Sequence, residues 1–323
     1  MIDHRTINSA VEELFSGIRF TSEPAGLYDP LRYMIAIGGK RIRPRLCLTA
    51  YGLFRDSLRP ELLECAGALE VFHAFTLIHD DIMDHSPLRR GVPTVWKKWS
   101  EDTAILSGDV MLIDAYKRIG KAPESSHAAV MELFSTTAAQ VCEGQCYDMQ
   151  FESRKSVPMG EYEQMIGLKT AVLLACSAKI GALIAEAPAT ACDALYNYGY
   201  ELGMAFQIAD DYLDAYGDQK VFGKPIGGDI LNGKKSWLTL RALEKTKDQA
   251  GFLKVFEQPA EGPEACEAKV SAVKLYYDTL GVAQDARAEI RRFSDRAMQA
   301  VEGLDADLTP LEQFAEQLIG RAK

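Results

Sequence analysis

The chain has 323 residues, of which 47% are hydrophobic and 25% charged, with a formal net charge of −10. That apolar content is ample for a large core, and the acidic balance excludes a general nucleic-acid binder, whose partner demands a basic surface. The seven cysteines show no paired metal-ligand spacing; they are expected to fill the core of a protein in a reducing, cytoplasmic compartment.

The N-terminal MIDHRTINSAVEELF is polar and amphipathic, without an apolar signal core, and predicts a first helix over 3–17. No window is expected to reach the roughly 18 apolar residues of a membrane span. A second helix is expected over about 26–37, stopping at Gly38-Gly39, and a third running to about Phe54, with Pro44 in its first turn. Pro60 opens a helix that runs to Asp84. The loop 85–100 carries Pro87, Gly91 and Pro93 and cannot be helical throughout. Later helices are expected over about 101–118, 124–151, 160–185, 188–217 and 234–247, with three more to the end. No strong alternating strand and no repeat is visible. The irregular stretch 218–233, rich in Gly, Lys and Asp, reads as a lid or binding loop. The expected fold is all-α, a single domain over 1–323 with one core.

Two acidic clusters punctuate this pattern. Residues 70–91 read EVFHAFTLIHDDIMDHSPLRRG, with Asp80, Asp81 and Asp84 in a DDxxD arrangement followed by Arg89 and Arg90. Asp80 and Asp84 are i and i+4 on one helix face, and His73 lies about two turns earlier on nearly the same face. Carboxylates this close repel unless a hard cation such as Mg²⁺ joins them, and paired arginines can fork onto phosphate. Residues 206–214, FQIADDYLD, repeat the spacing with Asp210, Asp211 and Asp214, and Gln207 falls on the same stripe. Each cluster ends a largely apolar helix, where charges need partners.

These two motifs, with GGKRIRP at Gly38–Pro44 and RRGVPT at Arg89–Thr94, resemble the trans-prenyl diphosphate synthases, which include farnesyl and geranylgeranyl diphosphate synthases. The motifs stand in family order from about Tyr28 to about Leu240. The resemblance implies a single helical bundle around a deep apolar cavity, a homodimer, and Mg²⁺-dependent condensation of isopentenyl diphosphate with an allylic diphosphate. It also implies roles. Asp80, Asp84 and Asp210 would ligate Mg²⁺, expected as three ions per site, with Asp81, Asp211 and Asp214 as supplementary ligands. Arg89, Lys169, Lys224 and Lys234 would hold the allylic diphosphate, with Thr170 and Gln207 giving polar contacts near the cation. Lys40, Arg43, His73 and Arg90 would hold isopentenyl diphosphate. Lys40 and Arg43 also sit at a Gly-Gly turn before a helix start, where backbone can approach an anion. No dedicated protein base is expected, since the released diphosphate takes the proton. His79 and His85 match no ligand position. Trp96 stands where the family often has histidine, and Lys235 beside Lys234 leaves the choice between them open.

Product length has its own handle. Each isoprene unit adds about 5 Å, close to one helical turn of rise, so side chains four and five residues before Asp80 are placed as a floor for the growing tail. These are Thr76 and Phe75, with Phe72 as a deeper stop. One aromatic at the earlier position resembles the archaeal geranylgeranyl pattern, and a twenty-carbon product is expected, with fifteen carbons as the alternative. A terpene cyclase would carry a different second metal motif and lack the isopentenyl set. A non-catalytic partner subunit would have lost carboxylates or lysines that are all present.

Overall fold

The computed structural model describes residues 2–217 and 226–320 and is helical almost throughout. In chain order the helices are α1 (His4–Gly17), α2 (Ala25–Ala36), α3 (Ile42–Gly52), α4 (Pro60–Met83), α5 (Val95–Lys98), α6 (Glu101–Ile119), α7 (His127–Ser153), α8 (Met159–Ile166), α9 (Val172–Ile184), α10 (Ala189–Tyr216), α11 (Gly228–Leu231), α12 (Trp237–Lys245), α13 (Gln249–Phe256), α14 (Pro263–Thr279), α15 (Val282–Val301) and α16 (Thr309–Ile319). The all-α expectation holds, with boundaries mostly within three residues. Three details differ. A two-stranded ribbon, β1 (Leu88–Arg89) and β2 (Val92–Pro93), closes antiparallel inside the 85–100 loop. Strands of two residues have no alternation to read. Four helices rather than three follow α12 among the described residues. The expected helix over 160–185 is α8 and α9 joined by a π-helical turn at Gly167–Ala171.

The chain forms two compact units. The first takes Met1–Thr137, Leu173–Gly199 and Ala300–Phe314; the second takes Ala138–Val172, Tyr200–Gln299 and Ala315–Lys323. In the first, Asp3 caps α1 by accepting from the Thr6 N–H at 2.8 Å, and Ile7 and Val11 turn inward. Pro60 starts α4 where a missing N–H costs nothing. Ser100 caps α6, which carries Glu101 and Asp102 in its first turn and Lys117 and Arg118 in its last, each matched to the helix dipole. In the second, Arg296 pairs with Glu201, and Arg241 and Lys245 share Asp285.

Two further expectations are corrected. By length and composition, Pro60–Met83 and Met159–Ile184 could cross a membrane, but 67% and 78% of their apolar windows are buried within the protein. Core helices pass the same test as membrane spans. Cys47, Cys65, Cys176 and Cys192 are buried as expected, yet Cys142 and Cys146 are exposed on α7. There the i, i+4 spacing marks an outward face rather than a core stripe.

Candidate active site

In the first unit the DDxxD carboxylates divide by burial. Asp81 is 2% exposed and accepts Arg89 bidentately, from Nε at 2.9 and 3.0 Å and from an Nη at 2.8 Å. Asp80 lies 3.8 Å from the same guanidinium, and Asp84 is exposed as the residue capping the end of α4. Desolvation works against the Arg89 charge, but Asp81, with Asp80 and Asp84, outweighs it and raises the Arg89 pKa above its ordinary value. The ribbon delivers Arg89. Arg90 and Gly91 form its turn with φ of 53° and 79°, the left-handed pair that a tight hairpin requires. The Trp96 indole donates to the Ser86 carbonyl at 2.9 Å and the Thr94 hydroxyl to the same oxygen at 2.8 Å, tying down the loop behind the ribbon. That gives Trp96 a structural place.

The turn sends Arg90 away from Arg89. Its guanidinium packs against Gly39, where a Cβ would stand 2.6 Å from the nearest nitrogen. Gly38 and Gly39 have φ of 79° and 145°, and Arg41 at φ 50° caps α3, so the Gly38–Arg41 turn folds back tightly. Arg43 is buried on the first turn of α3 and Lys40 is exposed. Burial pushes the His73 pKa well below the usual histidine value, and Arg43, Arg89, Arg90 and Arg41 add to the effect. The imidazole is therefore neutral among cations. Two members of this group were not singled out in the sequence. Arg41 pairs with buried Glu70 at 3.0 Å, donates to the Ile35 carbonyl at 2.7 Å and stands 4.3 Å over the Phe15 ring. A run of basic residues does not reveal which one turns inward.

The His73 shift gives a test. The unfolded imidazole titrates near pH 6.5, while the folded one titrates well below. The unfolded chain takes up the proton first, so stability from His73 is complete above about pH 6.5 and is lost as pH falls below it. His73→Gln is expected to flatten the dependence of Tm on pH between about 6.5 and 5. Equal slopes in wild type and variant would place His73 at an ordinary pKa.

Phe75 is 8% exposed and Phe72 fully buried on the same face of α4, their centroids 5.5 Å apart. The Thr76 hydroxyl donates to the His73 carbonyl at 2.8 Å. His79 contacts the Ile105 carbonyl and His85 neighbours Trp96.

In the second unit the pattern repeats. Asp211 is buried and accepts from the Tyr162 hydroxyl, the Trp237 N–H at 2.8 Å and Gln207 Nε2 at 3.1 Å. Burial, reinforced by Asp229, pushes the Asp211 pKa up to about 7. Gln207 accepts in turn from the Thr170 hydroxyl at 2.9 Å. Thr170 and Lys169 sit on the π-helical turn, a feature common at functional sites. Lys169 reaches Asp148 at 2.6 Å and Lys234 stands 3.9 Å from the same carboxylate. Burial would raise the Asp148 pKa, but Lys234 and Lys169 hold it below its ordinary value. Lys235 instead donates to the Phe151 carbonyl at 2.7 Å, near the end of α7. The structure thus groups Lys234, not Lys235, with Lys169. Asp148, one of four acids spread along α7, carried no signal in the sequence. Asp210 lies on α10 one residue before Asp211, and Asp214 accepts the Asp229 N–H at 3.0 Å. Lys224 lies outside the described residues.

Every candidate metal ligand is a carboxylate oxygen, the donor set of a hard cation. Among the described residues, no three His, Cys, Asp or Glu side chains converge on one point. Mg²⁺ takes one or two carboxylates together with substrate phosphates and water.

The polyprenyl synthetase profile matches residues 24–273. A geranylgeranyl diphosphate synthase of Methanosarcina mazei is 41% identical over 241 residues, 74% of this chain and 73% of that one. A geranylgeranyl pyrophosphate synthase of Geoglobus acetivorans is 36% identical over 322 residues, 98% of this chain and 96% of that one. A crystal structure of a geranylgeranyl pyrophosphate synthase superposes with a TM-score of 0.94 at 39% identity, covering 99% of each chain.

Proposed function

The chain belongs to the polyprenyl synthetase family, and from that membership we propose that it joins isopentenyl diphosphate head-to-tail to dimethylallyl, geranyl and farnesyl diphosphates. Geranylgeranyl diphosphate is the main product and farnesyl diphosphate the alternative. The allylic C1–O bond breaks and its electron pair leaves with diphosphate. The isopentenyl double bond attacks the allylic carbocation to form the new C–C bond, and a proton from the adjacent carbon passes to the released diphosphate.

One observation supports this reading: the ribbon gives two adjacent arginines different partners. Arg89 lies with Asp80 and Asp81, suited to the diphosphate that departs. Arg90 lies on Gly39 with Arg43 and His73 nearby, suited to the diphosphate that stays, with Lys40 at its rim. In the second unit Lys169 and Lys234 serve the departing group, with Thr170 and Gln207 beside them, and we assign Lys224 to the same role. Asp80 and Asp84 in the first unit, and Asp210 and Asp214 in the second, would hold Mg²⁺, three ions in all, with Asp81 and Asp211 as supports. Bound Mg²⁺ supplies positive charge to the leaving diphosphate. A neutral His73 can donate to isopentenyl diphosphate without drawing the acidic metal ligands toward it.

We take residues 1–323 as one synthase domain, because the family profile runs through both compact units. Exposed Ile105, Leu106 and Ile113 on α6 support a homodimer, and the free cysteines support a cytoplasmic setting. The test is to incubate the protein with Mg²⁺, isopentenyl diphosphate and each allylic starter and to size the products. Twenty-carbon product is expected to dominate. Phe75→Ala is expected to lengthen products by at least one unit and Thr76→Phe to shorten them; an active Phe75→Ala with unchanged products would remove Phe75 as the floor.

A further inference from the structure

We propose that His79 sets product length by clamping the Phe75 ring, acting as a positioning residue for the floor. The inference rests on the reading of Phe75 as that floor. Phe72, Phe75 and His79 are i, i+3 and i+7 on α4 and share one face. The His79 imidazole meets the Phe75 ring edge-on, with centroids 4.9 Å apart and planes at 69°. On the other side Phe75 rests against Phe72 at 5.5 Å. Phe72 is backed by Phe134 at 5.3 Å, and Phe134 by Tyr116 at 5.1 Å. The ladder of rings is anchored at its deep end in a fully packed core: Phe72 and Phe134 are both 0% exposed. At its other end stands His79.

His79 is itself held. Its Nε2 lies 3.1 Å from the Ile105 carbonyl oxygen of α6, a bond that requires the proton on Nε2. One turn along, Gly108 leaves room for the ring: a Cβ there would stand 2.2 Å from Nε2 and 2.5 Å from Cδ2. The imidazole fills the notch that the missing side chain makes, and it cannot move toward α6. Phe75 is therefore fixed between a ring it cannot displace and a core it cannot enter. Stiff backing is what a floor needs, because a rotamer hop of the floor side chain costs little in an open site and would admit another isoprene unit.

The test reads product ratios at matched turnover, which are insensitive to a change in rate from the neighbouring Asp80. In the active protein with Mg²⁺, isopentenyl diphosphate and farnesyl diphosphate, His79→Ala is expected to raise the twenty-five to twenty carbon ratio by about tenfold. His79→Phe keeps a ring in the notch and is expected to restore the wild-type ratio. Gly108→Ala drives the imidazole onto Phe75 and, with geranyl diphosphate as the starter instead, is expected to favour fifteen carbons. The double variant His79→Ala with Gly108→Ala has room for the new methyl and is expected to behave as His79→Ala alone. If Phe75→Ala lengthens products while His79→Ala leaves the ratio unchanged, the clamp is wrong and the floor stands. If Phe75→Ala also leaves it unchanged, the floor itself is wrong. Should Gly108→Ala fail to fold, the two His79 variants decide the matter alone.

Discussion

Asp80→Ala and Asp210→Ala are each expected to slow turnover by about 10²–10³-fold while leaving isopentenyl diphosphate binding nearly intact, since one preorganised charge contact at a developing anion has that worth. The neighbouring acids cannot stand in. Asp81 is committed to Arg89, and Asp211 to Tyr162, Trp237 and Gln207. Turning either outward would leave several buried donors without an acceptor. Steady-state kcat with saturating substrates, beside a calorimetric titration with isopentenyl diphosphate, separates the two effects. Excess chelator is expected to abolish turnover in the wild type. Full activity in either variant, or in chelator, would sink the metal assignment.

Arg43→Ala is expected to raise KM for isopentenyl diphosphate by roughly 10–100-fold, the range of one charge-assisted hydrogen bond, with a smaller effect on the allylic substrate. Arg89→Ala is expected to act chiefly on the allylic substrate and also on the fold. It would strand the Asp81 carboxylate, 2% exposed, without its counter-charge, which costs about 3 kcal/mol for a buried pair. Arg89→Lys restores charge but not the two-pronged contact, so it is expected to recover stability only in part. KM for each substrate together with Tm checks all three variants. Exchanged substrate effects would mean the two anion sites are interchanged, and an unchanged Tm in Arg89→Ala would contradict the Asp81 anchor.

What the sequence made legible follows from what has a period. The α4 and α10 registers were readable because both helices are long and each acidic triplet keeps its spacing in any helix. The ribbon at Leu88–Pro93 was not, since its shape rests on two positive φ values at Arg90 and Gly91. Nor was the division of labour among like charges. Arg41 turns to Glu70 while Arg43 stays with His73, and Lys235 takes a backbone carbonyl while Lys234 joins Lys169. Such choices depend on tertiary neighbours. Asp148 stayed hidden for the same reason: its partners come from residues 21 and 86 positions away along the chain. The inward turn of Asp81 and Asp211 is set by donors on other elements.

The π-helical turn at Gly167–Ala171 has a consequence for the length of the chain itself. Such a turn is an α-helix that has accepted one surplus residue, so the segment from Met159 to Ile184 carries one more amino acid than its span needs. Deleting Ala171 would let the turn relax to ordinary helix while keeping both flanking helices. It would also swing Lys169 about 100° around the axis relative to the residues beyond the cut. The residue that looks dispensable by length is the one that lets Lys169 and Thr170 face Asp148 and Gln207 together. A family member one residue shorter here would have to find both contacts from other positions.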